Sequence, residues 1–553
     1  MGIQLESQNL FASIDMGTNS FKLLIIRFEP ATAKFTTVHK HSVAVVLGRN
    51  SSSSSTPLIS PDSQFRAIEA LTKFQEILGS HTVTQIRVVG TSAIREARNQ
   101  SVFINEVKEK LGFDIQVKVL SGVEEARLIY FGVLQFLHIY DKKVLTVDIG
   151  GGSTEFVIGD NGDVVYADSL KSGHLTLTEK FGENDLVGLR SYVRELIEVS
   201  GLIGKVKELG FEVAVGSSGT IRAIEKAIWC GYGCHDGKRE GLREKRSRNW
   251  WWFSRDELRG LVERLCGVGI SETEKARRDG FFGRRSEFIV AGAVLLEEIM
   301  ELLGISEMEV SGYALGEGVV AEMVSEAFPG IDLNANVRWK SVMRLAMRFN
   351  GNDRMENGVQ CSAIAKVIFE GLRKCNKVFG NQFAVDICLD EKDLEYLEAA
   401  CMLHNIGLYL GKKGYHKQSY NILMEHNQLD GYTGDENELI AQLVRHHRKK
   451  FPKFEWHLQG FSKEVTQKSG IICSILRISV IIQQHKLLKL REIEVNNSSE
   501  GLVLALVKKR NQPMLSDPEK SLVKDIETEI GKEVDLFEVV FHQKLLVVCH
   551  MDC

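Results

Sequence analysis

Three acidic residues stand where this chain could activate water and hold a cation: Glu125, Asp148 and Glu155. Asp148 ends one apolar run and Glu155 opens the next, so a hairpin between the runs brings both carboxylates to its open end. Two carboxylates placed in this way suit Mg²⁺, held directly or through its water ligands. The alternative is structural, with Asp148 accepting turn N–H bonds and Glu155 at the surface.

A short sequence motif occurs twice in the chain. In each copy an Asp ends an apolar run, and small residues follow the Asp. Asp15 precedes the first copy and Asp148 the second, and two further turns of small residues follow at 216–220 and 310–318. N–H groups of such turns hold phosphate oxygens, although any one turn is equally well explained as an ordinary hairpin. Together they predict a duplicated domain that closes on a phosphate. The turn residues concerned are Gly17, Thr18, Asn19, Ser20, Gly151, Gly152, Ser153, Gly216, Ser217, Ser218, Gly219 and Thr220.

Glu125 lies in the first turn of a predicted helix. Ser121 and Glu124 have the spacing of a capping box, which gives Glu124 a structural role. Glu125 is not needed by the cap, and a carboxylate there could take a proton from water that attacks a bound phosphoryl group. Judged from the residue alone, a favourable interaction with the helix dipole explains Glu125 better.

Two arginines are candidates for gripping phosphate. Arg95 follows an apolar run and lies early in a predicted short helix, while Arg285 precedes a strongly apolar helix. The planar guanidinium matches two phosphate oxygens. A surface ion pair explains each arginine equally well.

Composition limits the class of protein. The chain has 553 residues, of which 44% are hydrophobic and 26% charged, as is usual for a soluble protein of about three or four domains. A net charge of −4 argues against general nucleic-acid binding. The ten cysteines are dispersed, which favours reduced thiols, and the spacing of Cys230 and Cys234 is only a weak metal signal. We find neither an apolar stretch of membrane-spanning length nor a signal peptide, so we expect a cytoplasmic protein without membrane partners.

The periodicity of apolar residues predicts α/β structure up to about residue 330 and mainly helices after it. Strand-like runs alternate with helices in residues 1–130, and the pattern restarts in residues 131–330, interrupted by a basic, tryptophan-rich insertion at 237–252. Helical periodicity dominates residues 331–490. Residues 491–553 predict a small α/β appendage, with strands near 501–507 and 539–548 around a charged helix.

The motifs together resemble those of the exopolyphosphatase / guanosine pentaphosphate phosphohydrolase (Ppx/GppA) family. The resemblance runs from about residue 11 to 485. It implies two actin-like, ribonuclease H-like domains with the active site between them, then an all-helical domain of HD-phosphohydrolase descent. It also implies roles: Glu125 as catalytic base, Asp148 and Glu155 as metal ligands, the glycine turns as phosphate loops, and Arg285 and Arg95 as phosphate contacts. The motifs lie at residues 15–22, 90–97, 121–129, 148–155, 216–220 and 443–449.

The chain also departs from the family pattern. Gly316 stands where related enzymes usually carry Arg, which would remove a cation from the cleft. The HD signature is broken, because Asn405 replaces its Asp and Val480 stands at its closing acidic position. We therefore do not expect a two-metal site in the helical domain, although the histidines His404, His416, His446 and His447 are of the right residue type.

The resemblance implies a Mg²⁺-dependent hydrolase that releases the terminal phosphate of inorganic polyphosphate, or of pppGpp, and that forms a homodimer. Basic segments at 445–450 and 237–248 would attract a long polyanion, unless they are simply solvated charged faces. One alternative is a regulator that senses a phosphorylated ligand with little or no turnover. A second alternative, an ATP-dependent sugar kinase of the same superfamily, lacks a recognisable sugar-binding acid.

Overall fold

The computed structural model describes most of the chain, and the chain divides into two compact units. The first spans Asn9–Asn336, and the second contains the described residues from Val337 onward. The described residues are 9–47, 57–111, 117–182, 185–232, 251–266, 272–379, 389–425, 429–448, 461–485, 491–498, 501–508, 528–531, 533 and 545–549.

The first unit begins with a five-stranded sheet. Its strands are β1 (Leu10–Met16), β2 (Ser20–Glu29), β3 (Lys34–Ala44), β4 (Gln85–Gly90) and β5 (Val117–Val119). They lie in the order β3-β2-β1-β4-β5. The first three strands form an antiparallel meander, and β4 and β5 extend the sheet in parallel from β1.

A second sheet of the first unit repeats this plan. Its strands are β6 (Val144–Ile149), β7 (Thr154–Asp160), β8 (Asp163–Leu170), β9 (Val213–Ser217), β10 (Trp252–Ser254) and β11 (Glu307–Val310). Their order is β10-β11-β9-β6-β7-β8. Again three strands form an antiparallel meander, while β9 and β11 run parallel to β6. This duplicated plan is the actin-like, ribonuclease H-like fold, and it confirms the expected fold class.

Helices cover the two sheets and connect their strands. They are α1 (Pro61–Ser80), α2 (Ser92–Arg95), α3 (Gln100–Leu111), α4 (Gly122–Phe136), α5 (His174–Phe181), α6 (Leu186–Val199), α7 (Leu202–Leu209), α8 (Ser218–Trp229), α9 (Arg255–Cys266), α10 (Glu272–Phe282), α11 (Ile289–Leu302) and α12 (Leu315–Ala327).

Local sequence explains where these elements begin and what they bury. Every residue of β1 is buried, as expected for a central strand covered on both faces. Ser60 caps α1 by accepting a hydrogen bond from the Ser63 N–H at 3.2 Å, and Pro61 occupies the first helical position. Phe74 and Phe103 fill the core on the first sheet, and Phe156 does so on the second.

Two helices cross at glycines and tie the two halves of this unit together. α12 packs on β1 and β2, whereas α4 packs on β7 and β8. A Cβ atom added to Gly132 would lie 2.0 Å from the Ala314 carbonyl oxygen, and one added to Gly318 would lie 1.7 Å from that of Leu128. The backbones therefore meet directly, which fixes the first turn of α4 and its Glu125 relative to both sheets.

The second unit is mostly helical, as expected. The helices are α13 (Val337–Phe349), α14 (Asn352–Phe379), α15 (Glu391–Leu403), α16 (Tyr415–Met424), α17 (Gly434–His446) and α18 (Lys463–Gln484). A sheet of β12 (Arg491–Ser498), β13 (Gly501–Lys508) and β14 (Leu545–Cys549) follows. The sequence analysis did not anticipate β12, which pairs antiparallel with β13. α18 has the length and apolar composition of a membrane span, contrary to the sequence expectation, but 72% of its most apolar stretch is buried in the protein, as in a core helix.

Candidate active site

Two hairpins with the same register form opposite sides of the site. Asp15 pairs with Lys22 across β1 and β2, and Asp148 pairs with Glu155 across β6 and β7. In the first hairpin the opposed charges form an ion pair, with Lys22 Nζ 2.9 Å from Asp15 Oδ2. The second hairpin instead places two carboxylates side by side. Glu155 is only 2% exposed, which rules out the surface alternative.

The two glycine turns face each other at close range. A Cβ atom on Gly151 would lie 3.1 Å from Thr18 Cβ and 3.4 Å from the Asn19 nitrogen. A Cβ atom on Gly152 would lie 2.7 Å from Ser92 Oγ. Side chains at these positions would crowd the facing wall, so glycine suits the close approach.

The N-terminus of α5 holds the second turn in place. The His174 N–H donates to the Gly150 carbonyl at 3.0 Å, and the N–H groups of Leu175 and Thr176 donate to the Gly151 carbonyl at 3.0 and 3.2 Å. These bonds satisfy donors at the start of a helix. They also fix the peptide planes of the turn.

The third loop lies at the end of β9, and its predicted residues contact other predicted residues of the site. Ser217 donates a hydrogen bond to Asp148 Oδ2. Ser218 has a φ of 86°, a left-handed conformation that costs a non-glycine residue about 1–3 kcal/mol and that often marks functional loops. A Cβ atom on Gly219 would lie 2.5 Å from Arg285 Nη1, so the guanidinium lies directly over this glycine.

Thr220 turns its hydroxyl to a residue that the sequence analysis did not select. Its Oγ1 and His174 Nδ1 are 3.0 Å apart. The His174 ring stacks on Phe288, with 4.3 Å between ring centroids. Burial, with the nearby Arg285 charge, lowers the pKa of His174 to about 3, so the ring is neutral at physiological pH.

Glu125 is buried, and it has one strong partner. The carboxylate accepts a hydrogen bond at 2.9 Å from Arg95 Nη1. Burial raises the pKa of Glu125 to about 7, with Asp15 and Asp148 adding to the rise and Arg95 opposing it. A carboxylate with this pKa is suited to proton transfer near neutral pH. Glu124 instead caps its helix, as predicted, through bonds with Ser121.

The other two acids interact with Glu125 and with each other. Burial raises the pKa of Glu155 well above its usual value, and the charges of Glu125 and Asp148 raise it further. Burial also raises the pKa of Asp148, although Ser217 and Lys22 oppose the rise. Gathering carboxylates in this way costs free energy unless protons or a cation offset the charge.

The carboxylates provide a donor set that fits a hard divalent cation. Asp15 Oδ1 is buried and has no hydrogen-bond partner, which leaves an acceptor available in a carboxylate whose charge acts on Asp148. Within the described ranges, no three acidic, histidine or cysteine side chains come close enough to hold an ion alone. Mg²⁺ usually uses one or two carboxylates and fills its remaining positions with water and phosphate oxygens. Asp148 and Glu155 therefore fit this ion.

The structure gives Arg95 and Gly316 surroundings that the sequence analysis did not predict. Arg95 Nη1 donates one hydrogen bond to the Glu125 carboxylate and another, at 2.9 Å, to the Leu120 carbonyl. This nitrogen therefore binds the carboxylate of Glu125. At Gly316 a Cβ atom would lie 3.2 Å from Ser13 Oγ and 3.4 Å from Leu24 Cδ2. A side chain there would start at the contact of α12 with β1 and β2.

Several residues of the site were missed by the sequence analysis. Asp15 was detectable, because it precedes its glycine turn as Asp148 does. Lys22 ends the first motif, but a single lysine gives no local signal of its partner, since isolated cations are common on any surface. His174 was equally hidden, because only packing brings it to Thr220.

Two of the four histidines named for the second unit, His404 and His447, are packed as neutral core side chains. The rings of His404 and His447 lie 5.1 Å apart between centroids. His447 Nε2 and Tyr415 Oη are 3.1 Å apart. Burial lowers the pKa of His404 to about 4 and that of His447 well below its usual value.

The repeated hairpins, facing glycine turns and buried Glu125 can be compared with known proteins. The model of the Ppx/GppA phosphatase family matches residues 25–327, and that of Ppx/GppA phosphatase, domain III, matches residues 337–523. The chain belongs to the Ppx/GppA phosphatase family. Together the two matches extend over both units.

The chain is also similar to named relatives and to solved structures. The chain is 28% identical to guanosine-5'-triphosphate,3'-diphosphate pyrophosphatase of Vibrio vulnificus over 539 residues, covering 96% of this chain and 98% of the relative. The Photobacterium profundum protein of the same name is 28% identical over 479 residues, covering 86% of each chain. An exopolyphosphatase structure from Cytophaga hutchinsonii is 27% identical, with a TM-score of 0.49, covering 59% of this chain and 100% of that one. A Ppx/GppA structure from Aquifex aeolicus is 24% identical, with a TM-score of 0.46, covering 58% and 98%.

Proposed function

We propose that this protein is a phosphoanhydride hydrolase that releases the terminal phosphate of inorganic polyphosphate, of pppGpp, or of both. Family membership and two relatives named as pppGpp pyrophosphatases support this class of reaction. The observation that carries the proposal is Glu125, a buried carboxylate whose pKa is raised to about 7 and whose charge interacts with Asp15 and Asp148 beside the glycine turns.

In this mechanism Glu125 accepts a proton from water as the water oxygen attacks the terminal phosphorus in line. Arg95 holds Glu125 Oε2 in place. Backbone N–H groups of the turns at 17–20, 150–154 and 216–220 hold the non-bridging phosphate oxygens, where charge develops. Arg285, which lies over the third turn, adds a cation.

Asp148 and Glu155 would hold Mg²⁺, with water and phosphate oxygens as its other ligands. Bound there, the ion would neutralise charge on the phosphate oxygens. The proposal also includes a homodimer, which the resemblance implies, and a cytoplasmic location.

The test is phosphate release from long-chain polyphosphate and from pppGpp, with Mg²⁺ present, at two salt concentrations. We expect Glu125→Gln to lower kcat roughly 10²- to 10⁴-fold with little change in substrate binding. Glu124→Gln is the matched control, since glutamine also serves in a capping box. Full activity of Glu125→Gln, or equal losses in both variants, would refute the role of Glu125.

A further inference from the structure

Four polar side chains form a row across the second sheet. At its centre, Asp148 on β6 is the register partner of Glu155 on β7. Ser217 on β9 is the register partner of Asp148. Ser169 on β8 is the register partner of Glu155. Residues directly opposite each other on neighbouring strands share a face of the sheet, so a serine flanks the two acids on each side.

Each serine of this row donates a hydrogen bond to the acid beside it. Ser169 Oγ donates to Glu155 Oε1 at 2.9 Å, and Ser217 Oγ donates to Asp148 Oδ2. The terminal torsion of a glutamate has a broad energy profile, so a carboxylate without such a bond turns easily. With Oε1 held, the direction of Oε2 is fixed as well, because the carboxylate is planar.

Ser169 is itself held against the first turn of α4. A Cβ atom added to Gly122 would lie 2.5 Å from Ser169 Cβ and 2.9 Å from Ser169 Oγ. The serine therefore packs directly on the backbone at the start of the helix that carries Glu125. This contact limits the positions that the hydroxyl can take, so the helix and the strand together direct it to Glu155.

The sequence analysis did not select Ser169, because the serine lies in strand β8 away from any glycine turn. It did select Ser153, whose side chain also forms a hydrogen bond with Glu155. Glu155 is thus held from its own turn and from the neighbouring strand. Of the basic segments that the sequence analysis selected for a polyanion, 237–248 lies outside the described residues.

We propose that Ser169 is a positioning residue of the metal site, and that its bond to Oε1 fixes the Glu155 carboxylate in the orientation that receives a divalent cation. The ligand class is a hard divalent cation that prefers oxygen, such as Mg²⁺ or Mn²⁺. The inference rests on the proposed function and deepens it, because it adds a residue that would set the affinity for the metal.

The expected effect follows from the cost of ordering the carboxylate. Without the Ser169 hydroxyl, Glu155 must lose rotational freedom when it binds the cation, which weakens metal binding. Partners that orient metal ligands typically contribute 10- to 100-fold to metal affinity. Because Ser153 also bonds Glu155, we expect the loss of Ser169 alone to lie near the lower limit, at roughly 10-fold.

The experiment measures binding of Mg²⁺ and of Mn²⁺ by calorimetry, without substrate, after treatment with a chelator. Ser169→Ala should raise the dissociation constant roughly 10-fold. Ser169→Thr and Ser169→Val form a matched pair, because they have nearly the same shape and only threonine keeps the hydroxyl. Threonine should bind the ions about as tightly as the wild type, and valine about as weakly as alanine. Ser191→Ala, which removes an exposed serine on α6, is the control.

Phosphate release gives a second readout that a packing defect would not reproduce. With whichever substrate the wild type hydrolyses, Ser169→Ala should need roughly 10-fold more Mg²⁺ for the half-maximal rate and should recover most of kcat at saturating Mg²⁺. A loss of kcat that saturating Mg²⁺ does not reduce would indicate a role in packing alone and would overturn the inference.

The binding measurement also separates this inference from the proposed function. Weaker metal binding by Ser169→Ala and Ser169→Val supports the inference even if the protein releases phosphate from neither substrate, an outcome that would refute only the proposed function. Equal dissociation constants for the wild type and these two variants would overturn it, and so would a wild type that binds neither ion. The threonine and valine pair keeps the test decisive if Ser169→Ala does not fold.

Discussion

Arg95 Nη1 donates a hydrogen bond to Glu125 Oε2 at 2.9 Å, and the same nitrogen bonds the carbonyl of Leu120 just before α4. The arginine is thereby anchored to the backbone while it orients the carboxylate. It also counteracts burial, because its charge lowers the pKa of Glu125, which burial raises to about 7. The pair thus sets both the direction and the basicity of the proposed catalytic base.

Removing Arg95 should move the pH dependence of activity. In Arg95→Met the pKa of Glu125 rises above about 7, so the acidic limb of the kcat/KM profile shifts to higher pH. Lys171→Met is the control, since Lys171 is an exposed cation that pairs with Glu96 at 2.8 Å. An unchanged limb in Arg95→Met, or an equal shift in the control, would contradict the assignment.

Glu125 should reduce stability at alkaline pH. Its pKa is 4.5 as an ordinary group and about 7 in the fold, so its contribution is most favourable below pH 4.5 and is lost as pH rises through 7. Because glutamine mimics the protonated form, Glu125→Gln should unfold at a higher temperature than the wild type at pH 8, with a smaller difference at pH 5. Thermal unfolding of both proteins at pH 8 and at pH 5 measures this difference in unfolding temperature.

Glu124→Gln should change the stability of the protein in the opposite direction. Hydrogen bonds from the backbone and side chain of Ser121 lower the pKa of Glu124, so its ionised form stabilises the protein above about pH 4.5. This variant should be slightly less stable than the wild type at pH 8. A gain in stability from Glu124→Gln would contradict the stabilising role of the Ser121 bonds. No gain from Glu125→Gln would show that burial is not the dominant cause of the Glu125 shift.

His174 should act as a neutral positioning residue for the third phosphate loop. His174→Leu removes the partner of the Thr220 hydroxyl, and we expect KM to rise about tenfold with a smaller change in kcat. His174→Asn, which keeps a polar group, should recover much of the loss. The pH profile should keep its shape in both variants, because the pKa of His174 is near 3. Failure of asparagine to rescue KM would indicate a role in packing alone.

The crossing of α4 and α12 should not tolerate side chains at its glycines. Gly132→Ala places Cβ 2.0 Å from the Ala314 carbonyl oxygen, so the helices must separate, with a large loss of both stability and activity. Gly204→Ala on α7 meets no atom within 4 Å and should be neutral or stabilising by about 0.5–1 kcal/mol. Unfolding temperature and phosphate release measure both effects, and a neutral Gly132→Ala would contradict this packing.

The sequence alone determined features that depend on neighbouring residues. Strand ends at Asp15 and Asp148, the glycine turns and the capping box of Ser121 and Glu124 follow from local hydrogen bonding and backbone sterics, which a short stretch of chain already contains. The duplicated α/β plan and the change to helix near Val337 followed from periodicity. The residue type of Glu125 left its role open until the family motifs were considered together.

Tertiary structure decided what depends on distant residues meeting. The contact of Glu125 with Arg95 and that of His174 with Thr220 join segments separated by tens of residues. Desolvation and charge repulsion depend on these distances in space, so no local pattern reveals them. For the same physical reason the sequence predicted the glycine turns, while only the fold showed which carboxylates are buried and which side chains they contact.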